Sequence, residues 1–208
     1  MALLPAMRSR YGTFPRLAGI LAAACVWTAA TPATSQNLPP VVQKTYPVSG
    51  STGLELYTST SRSGPNGGGH VAQTRFKLTW KRLFDERNGS CYLVHARPQL
   101  SITQTYPKPS GKLSADMQRR WNKFMVAARE HEETHARMIV EMVRATEASL
   151  AGGFEPNDRT CAKVKKSVAA KIDQGYQAHR ERSLAFDKQE LGFGGRMFIV
   201  LEDLVNER

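Results

Sequence analysis

The sequence predicts an α+β fold, a small antiparallel β-sheet followed by a long antiparallel helical hairpin. Residues 48–106 alternate with a period of two. Residues 115–150 contain no Gly or Pro and carry an apolar stripe at three-and-four spacing. A second such stripe begins near Thr160, after a break at Gly152-Gly153 and Pro156. A run of strands followed by a run of helices belongs to the α+β class. With 208 residues, 41% hydrophobic and 23% charged, the chain suits one packed domain plus a targeting segment rather than wholesale disorder.

The targeting segment is residues 1–35. Arg8, Arg10 and Arg16 give a basic start without an acidic residue. Leu17 to Ala30 is apolar, and Ala33-Thr34-Ser35 offers small residues for cleavage. That order is that of a secretory signal peptide, and the run is short for a membrane span. A lipoprotein through Cys25 is not expected, because Ala22 fits a lipid-attachment signal poorly. No later stretch is long and apolar enough to span a bilayer, so a periplasmic or secreted protein is expected. Residues 36–47, with Pro39-Pro40, read as a linker. Residues 48–208 read as a single α+β domain.

In that domain Leu54, Leu56 and Thr58 alternate like a strand. Phe76, Leu78 and Trp80 alternate with Arg75, Lys77 and Thr79 in the clearest strand pattern of the chain. Cys91–His95 and Leu100–Thr103 read as two further strands. Gly64–Gly69 and Asn88-Gly89 are the intervening turns. Loss of the signal leaves Cys91 and Cys161, which in an oxidising compartment form one disulfide; two buried thiols are the alternative.

Ser114 is an N-cap candidate and Asp116 suits the positive end of a helix dipole. Met117, Trp121, Phe124, Ala128, Met138, Met142 and Ala145 line one face of this first helix. The second helix carries Val164, Val168, Ile172, Tyr176, His179, Ser183 and Phe186, and Gly192, Gly194 and Gly195 close it. The short connection makes the pair antiparallel. Met197–Leu204 is apolar enough to dock as a strand or short helix.

The chemistry lies in Arg129-Glu130-His131-Glu132-Glu133-Thr134-His135. His131 and His135 stand one helical turn apart, so both imidazoles can reach one Zn²⁺ at about 2.0–2.1 Å. Glu132 is placed to act as general base on water. Both histidines continue the apolar stripe, and buried imidazoles need partners; core histidines held by hydrogen bonds, or an exposed charged face, are the alternatives. A third ligand must come from elsewhere. Glu141 points away on an uninterrupted helix, and Glu155 sits in a Gly-Gly-Phe-Glu-Pro loop. If the hairpin turns near Glu155, residue 175 lies level with His135 and His179 level with His131. His179 is therefore the leading third ligand, with Asp187 and Glu190 as competitors two to three turns further on.

Over most of the mature chain, the sequence resembles a family of bacterial predicted secreted zinc-dependent proteases. The resemblance rests on Tyr46-Pro47-Val48-Ser49-Gly50-Ser51-Thr52-Gly53-Leu54-Glu55-Leu56, on Gly64-Pro65, and on Thr74–Trp80. Cys91, the helix bearing Trp121, Phe124, His131, Glu132 and His135, and Cys161 extend it. It implies export, a zincin-like domain and a metal-activated water. Where the family ends in a Tyr-Asp…Thr-x-His-Gly segment, this chain keeps Asp187 but has Gly192 at the position of the histidine.

The expected function is that of an exported zinc metallohydrolase-like protein acting as a peptidase on a polypeptide or envelope substrate. The alternative is a non-catalytic envelope protein with a structural metal or a partner-binding helix face. Net charge is +11. Such a balance suits anionic lipid or an acidic envelope polymer. Export argues against nucleic acid, and the densest basic run, Lys163, Lys165 and Lys166, reads as a solvated helix face.

Overall fold

The computed structural model describes residues 39–206; the expected signal segment, Cys25 and the first residues of the expected linker lie outside them. The elements follow in the order β1 (Val41–Val48), α1 (Gly53–Ser63), a 3₁₀ turn (Pro65–Gly67), β2 (Gln73–Arg87) and β3 (Ser90–Pro109). Then come α2 (Ala115–Leu150), β4 (Phe154–Glu155), α3 (Ala162–Leu191) and α4 (Arg196–Val205). The fold is α+β, as expected, but its sheet is mixed.

The sheet order is β1-β3-β2, with β4 on β3. β2 and β3 form the antiparallel hairpin that Asn88-Gly89 predicts, and both turn residues have positive φ, 53° and 81°. The segments 91–95 and 100–103 belong to one strand, β3, rather than two. β1 corrects two expectations. It occupies most of the expected linker, and it pairs with β3 in parallel, Val41 opposite Ile102 through Val48 opposite Pro109. Only Val48 in it is fully buried, so an edge strand of this kind has no alternation to announce it.

Residues 54–58 form helix α1, not a strand. The cause is a capping box: the Thr52 side chain accepts from the Glu55 backbone N–H, and the Glu55 carboxylate accepts from the Thr52 N–H. Leu56 and Thr60, one turn apart, are buried while Leu54 faces solvent. The spacing is therefore helical, and the Leu54–Leu56 alternation was misleading.

Helix α2 runs as predicted, with Ser114 capping Met117 N–H at 3.2 Å. Two of its faces are buried. Trp121, Phe124 and Ala128 pack with Val48, Leu56, Tyr106, Met197 and Leu204. Ala136, Ile139, Val140 and Val143 pack on Ile102 of the sheet. Each large side chain buried in this way contributes roughly 1.5–3 kcal/mol. His131 and His135 lie between these two apolar clusters along the helix.

Helix α3 returns antiparallel against α2. The crossing is close at Gly175, where a Cβ would lie 2.2 Å from Thr146 Oγ1. Its start is fixed by Asp158, whose carboxylate accepts from Val164 N–H at 3.0 Å, and by the Cys91–Cys161 disulfide, with Cα atoms 5.2 Å apart. Helix α4 closes the far end: Lys123 pairs with Asp203 and Arg196 with Glu130, both on α2. No helix among the described residues is long and apolar enough to cross a membrane.

The disulfide joins residues 70 apart in sequence. Its loss restores the chain entropy of a long loop, about 2–5 kcal/mol of stability. The Cys91→Ser/Cys161→Ser double variant is expected to lose that much in urea unfolding, and reduced wild type to match it. An unchanged urea midpoint would show that the bond adds no stability.

Candidate metal centre

The centre is built by two helices facing each other across a cleft of about 440 Å³. From α2 come His131 and His135, one turn apart, and Glu132 beside them; from α3 come Ser183 and Asp187, also one turn apart. The floor and rim include Phe124, Ala128, Met197 and Leu201. The segment leading into β2 closes another side. It is tied down by Tyr46, whose hydroxyl donates to Val71 O at 2.6 Å, and by Thr74, whose hydroxyl donates to the Glu132 carbonyl at 3.1 Å.

Three atoms converge. His135 Nε2 lies 2.8 Å from Asp187 Oδ1 and 3.1 Å from His131 Nε2, and His131 Nε2 lies 3.3 Å from the same Asp187 oxygen. A tetrahedral ion with bonds of about 2.0–2.1 Å holds its ligand atoms about 3.3 Å apart. The His131–His135–Asp187 group can therefore hold a divalent metal. Two nitrogens and a carboxylate oxygen are also the donor types such an ion takes.

Of the other two ring nitrogens, only that of His135 has a hydrogen-bond partner. His135 Nδ1 is 3.1 Å from Ser183 Oγ, and His131 Nδ1 faces Glu190 Oε2 at 4.0 Å. Phe186 lies against both rings, at 4.8 Å from His131 and 5.2 Å from His135. These partners restrict rotation of the imidazoles.

Electrostatics follow from burial and pairing. Burial opposes ionisation of Asp187, but hydrogen bonds from His131 and His135 outweigh it and hold the carboxyl well below its usual range. Burial also disfavours charge on His135, yet the hydrogen bond to Asp187 and that group's negative charge win and raise its pKa. Glu132 is 5% exposed; burial raises its pKa, partly offset by the Thr74 hydroxyl and the two histidines. A carboxyl raised in this way is poised to take and return a proton. Glu133, next in the chain, faces solvent and takes no part.

The structure brings Asp187 to the histidine pair and leaves His179 outside. His179 packs edge-on against Phe76 at 5.5 Å, and burial lowers its pKa. Residue 187, not 175, stands level with His135, a shift of roughly three helical turns. The expected turn near Glu155 accounts for it. Residues 154–155 instead continue away from α2 and pair with β3 at Cys91 and Tyr92, and α3 begins only at Ala162. Ser183 and Phe186 lie on the predicted stripe but carry no signal of their own; Ser183 stands four residues before Asp187 and three before Phe186, and that spacing is what could have flagged them.

Over residues 43–195 the chain matches the family described as "Bacterial protein of unknown function (DUF922)". No curated protein and no solved structure matches it.

The His135–Asp187 interaction has a definite pH signature. Asp187 supplies its share of stability above the ordinary carboxyl range, and that share is lost as pH falls through its depressed pKa. His135, raised above 6.5, supplies its share below that value and loses it as pH rises through the raised pKa. In chelator-treated protein, Asp187→Asn is expected to lower the His135 pKa, followed by proton NMR of the imidazole. An unmoved titration would show that Asp187 does not set it.

Proposed function

We propose a function from the site itself, because the chain belongs to a family of bacterial proteins of unknown function, DUF922, and that membership assigns no activity. The reading is an exported zinc-dependent metallohydrolase of the predicted secreted protease type, acting on a polypeptide. The observation that carries it is the convergence of His131 Nε2, His135 Nε2 and Asp187 Oδ1 in a cleft that Glu132 also lines. Zinc is the ion these donors suit: two imidazoles and a carboxylate at near-tetrahedral separations. The disulfide accords with an oxidising compartment.

Three protein ligands leave a fourth position for chemistry, whereas a purely structural zinc takes four. Zinc held there supplies Lewis-acid activation of water and of a carbonyl. The chain's own residues do the rest. Asp187, kept ionised, is the third donor beside the two Nε2 atoms. Ser183 orients His135 from behind through Nδ1, and Phe186 packs on both rings. Glu132 takes a proton from the attacking water as the carbon–oxygen bond forms. It returns that proton to the amine nitrogen as the peptide bond breaks. The apolar part of the cleft, from Phe124 to Leu201, excludes water and receives a side chain of the substrate.

One observation favours a structural metal in a non-catalytic envelope protein. Gly192, at the place of the histidine of the resembled family, caps α3, and a Cβ there would lie 2.5 Å from the Lys188 carbonyl. The backbone is thus fitted to glycine, and any part that histidine would take in catalysis is missing from this chain.

Elemental analysis of the purified protein is expected to find about one zinc per chain, displaced by chelator. Asp187→Ala should weaken zinc binding by at least about tenfold, and His179→Ala should leave it within about twofold. Glu132→Gln should keep the zinc and lose about 10²–10⁴-fold of peptidase activity on an unfolded polypeptide. Zinc retained without activity in wild type would decide for the structural reading. Absence of zinc would sink both.

A further inference from the structure

The outer face of the sheet, turned away from the helices, carries a set of cations that the cleft does not use. On β2, Arg75, Lys77 and Lys81 point outward, while Phe76, Leu78 and Trp80 pack inward. The register puts Arg97 of β3 directly opposite Lys81. Lys44 of β1 lies on the same face, opposite Thr105. All five are exposed. Among the described residues none of them forms a salt bridge. The nearest acid along this face of β2, Asp85, is already paired with Arg87 at 2.7 Å.

Such a face costs stability on its own. Like charges directly opposite on neighbouring strands repel, as Lys81 and Arg97 must. Same-face neighbours stand about 6.6–6.8 Å apart along a strand and about 4.8 Å apart across strands. That spacing forms a track for a row of anionic groups, and bound anions would relieve the repulsion. The residues between the cations narrow the partner. They include Thr79, Gln99, Ser101 and Thr103, hydroxyls and an amide of the kind that hydrogen-bonds to sugars. The exposed aromatic pair of this face, Tyr92 and Phe154, lies past Leu83 and beyond the cations, so no ring alternates with them as base stacking requires. Val42 and Leu83 are exposed towards opposite ends of the track and form no apolar cluster that would enter a lipid surface.

We infer that this outer sheet face binds a linear acidic polysaccharide, with Arg75, Lys77, Lys81, Arg97 and Lys44 meeting its carboxylates and the intervening hydroxyl and amide groups meeting its sugar hydroxyls. The surface is independent of the metal centre, on the opposite side of the sheet from the helices. It tethers the protein to an anionic polymer while leaving the cleft free.

The test uses the full chain and polygalacturonate, with neutral dextran as control, by calorimetric titration at an ionic strength of about 0.1 M. Wild type is expected to bind polygalacturonate and not dextran. The Lys77→Gln/Lys81→Gln/Arg97→Gln variant should bind at least tenfold more weakly. The Lys163→Gln/Lys165→Gln/Lys166→Gln variant removes the same charge from the solvated face of α3 and should stay within twofold of wild type. Circular dichroism on both variants checks that each is folded; should the sheet triple variant not fold, the single variant Lys77→Gln, expected about threefold weaker, takes its place. Equal losses in the sheet and α3 variants would reduce the effect to net charge and overturn the inference. So would no binding by wild type, or displacement of the polymer by single-stranded DNA or by phosphatidylglycerol vesicles.

Discussion

The register of α3 against α2 governs everything that happens in the cleft. Helix α2 presents two imidazoles wherever its own periodicity puts them, and a site exists only if the opposite helix brings a matching group level with them. Three features set that level. The Cys91–Cys161 bond ties the start of α3 to the first residues of β3. The β4–β3 pairing carries the chain past the end of α2 before it turns back. The Gly175–Thr146 contact lets the helices approach so closely that a slide would drive a side chain into a backbone groove. Lys171 bound to the Ser149 carbonyl and Arg182 paired with Glu141 follow the same register. Asp187 meets His135 as its consequence.

Burial gives that meeting its chemical character. In water, two imidazoles and a carboxylate would interact weakly. Between two apolar clusters, His135 and Asp187 shift each other's protonation, and the rings are held by Ser183 and Phe186. Two neutral rings can aim at most two N–H protons at this point, one fewer than the three close contacts among His131, His135 and Asp187. A shared cation would fill it. Glu132, buried and with a raised pKa, lines the same cleft. The platform is braced by Tyr46, Thr74 and the Arg196–Glu130 pair, so that strand, loop and terminal helix all contribute to holding the cleft open.

The sheet serves two ends with its two faces. Its inner face supports α2 through Ile102 and its neighbours, and so supports the histidines. The middle of its outer face is polar and cationic and takes no part in the core. Alternation along β2 makes this division possible, because each successive side chain goes to the other side.

How much of this was legible beforehand depends on the range of the interaction. Helix α2, its Ser114 cap, the His131–His135 pair and the Asn88-Gly89 turn are local, fixed by spacings of one to four residues, and the sequence by itself determined them. The pairing of Cys91 with Cys161 followed from their being the only cysteines after residue 35. The Thr52–Glu55 capping box was also local, but the Leu54–Leu56 alternation competed with it and misled. Only the tertiary structure decided that β1 joins the sheet in parallel, because its partner strand lies some sixty residues away and its own side chains are mostly exposed. Only the tertiary structure chose Asp187 over His179. Both lie on the same helix face, and their distance from the histidines depends on how far the chain travels between α2 and α3. That path is set by a disulfide and a two-residue strand, contacts between remote segments that no local periodicity records.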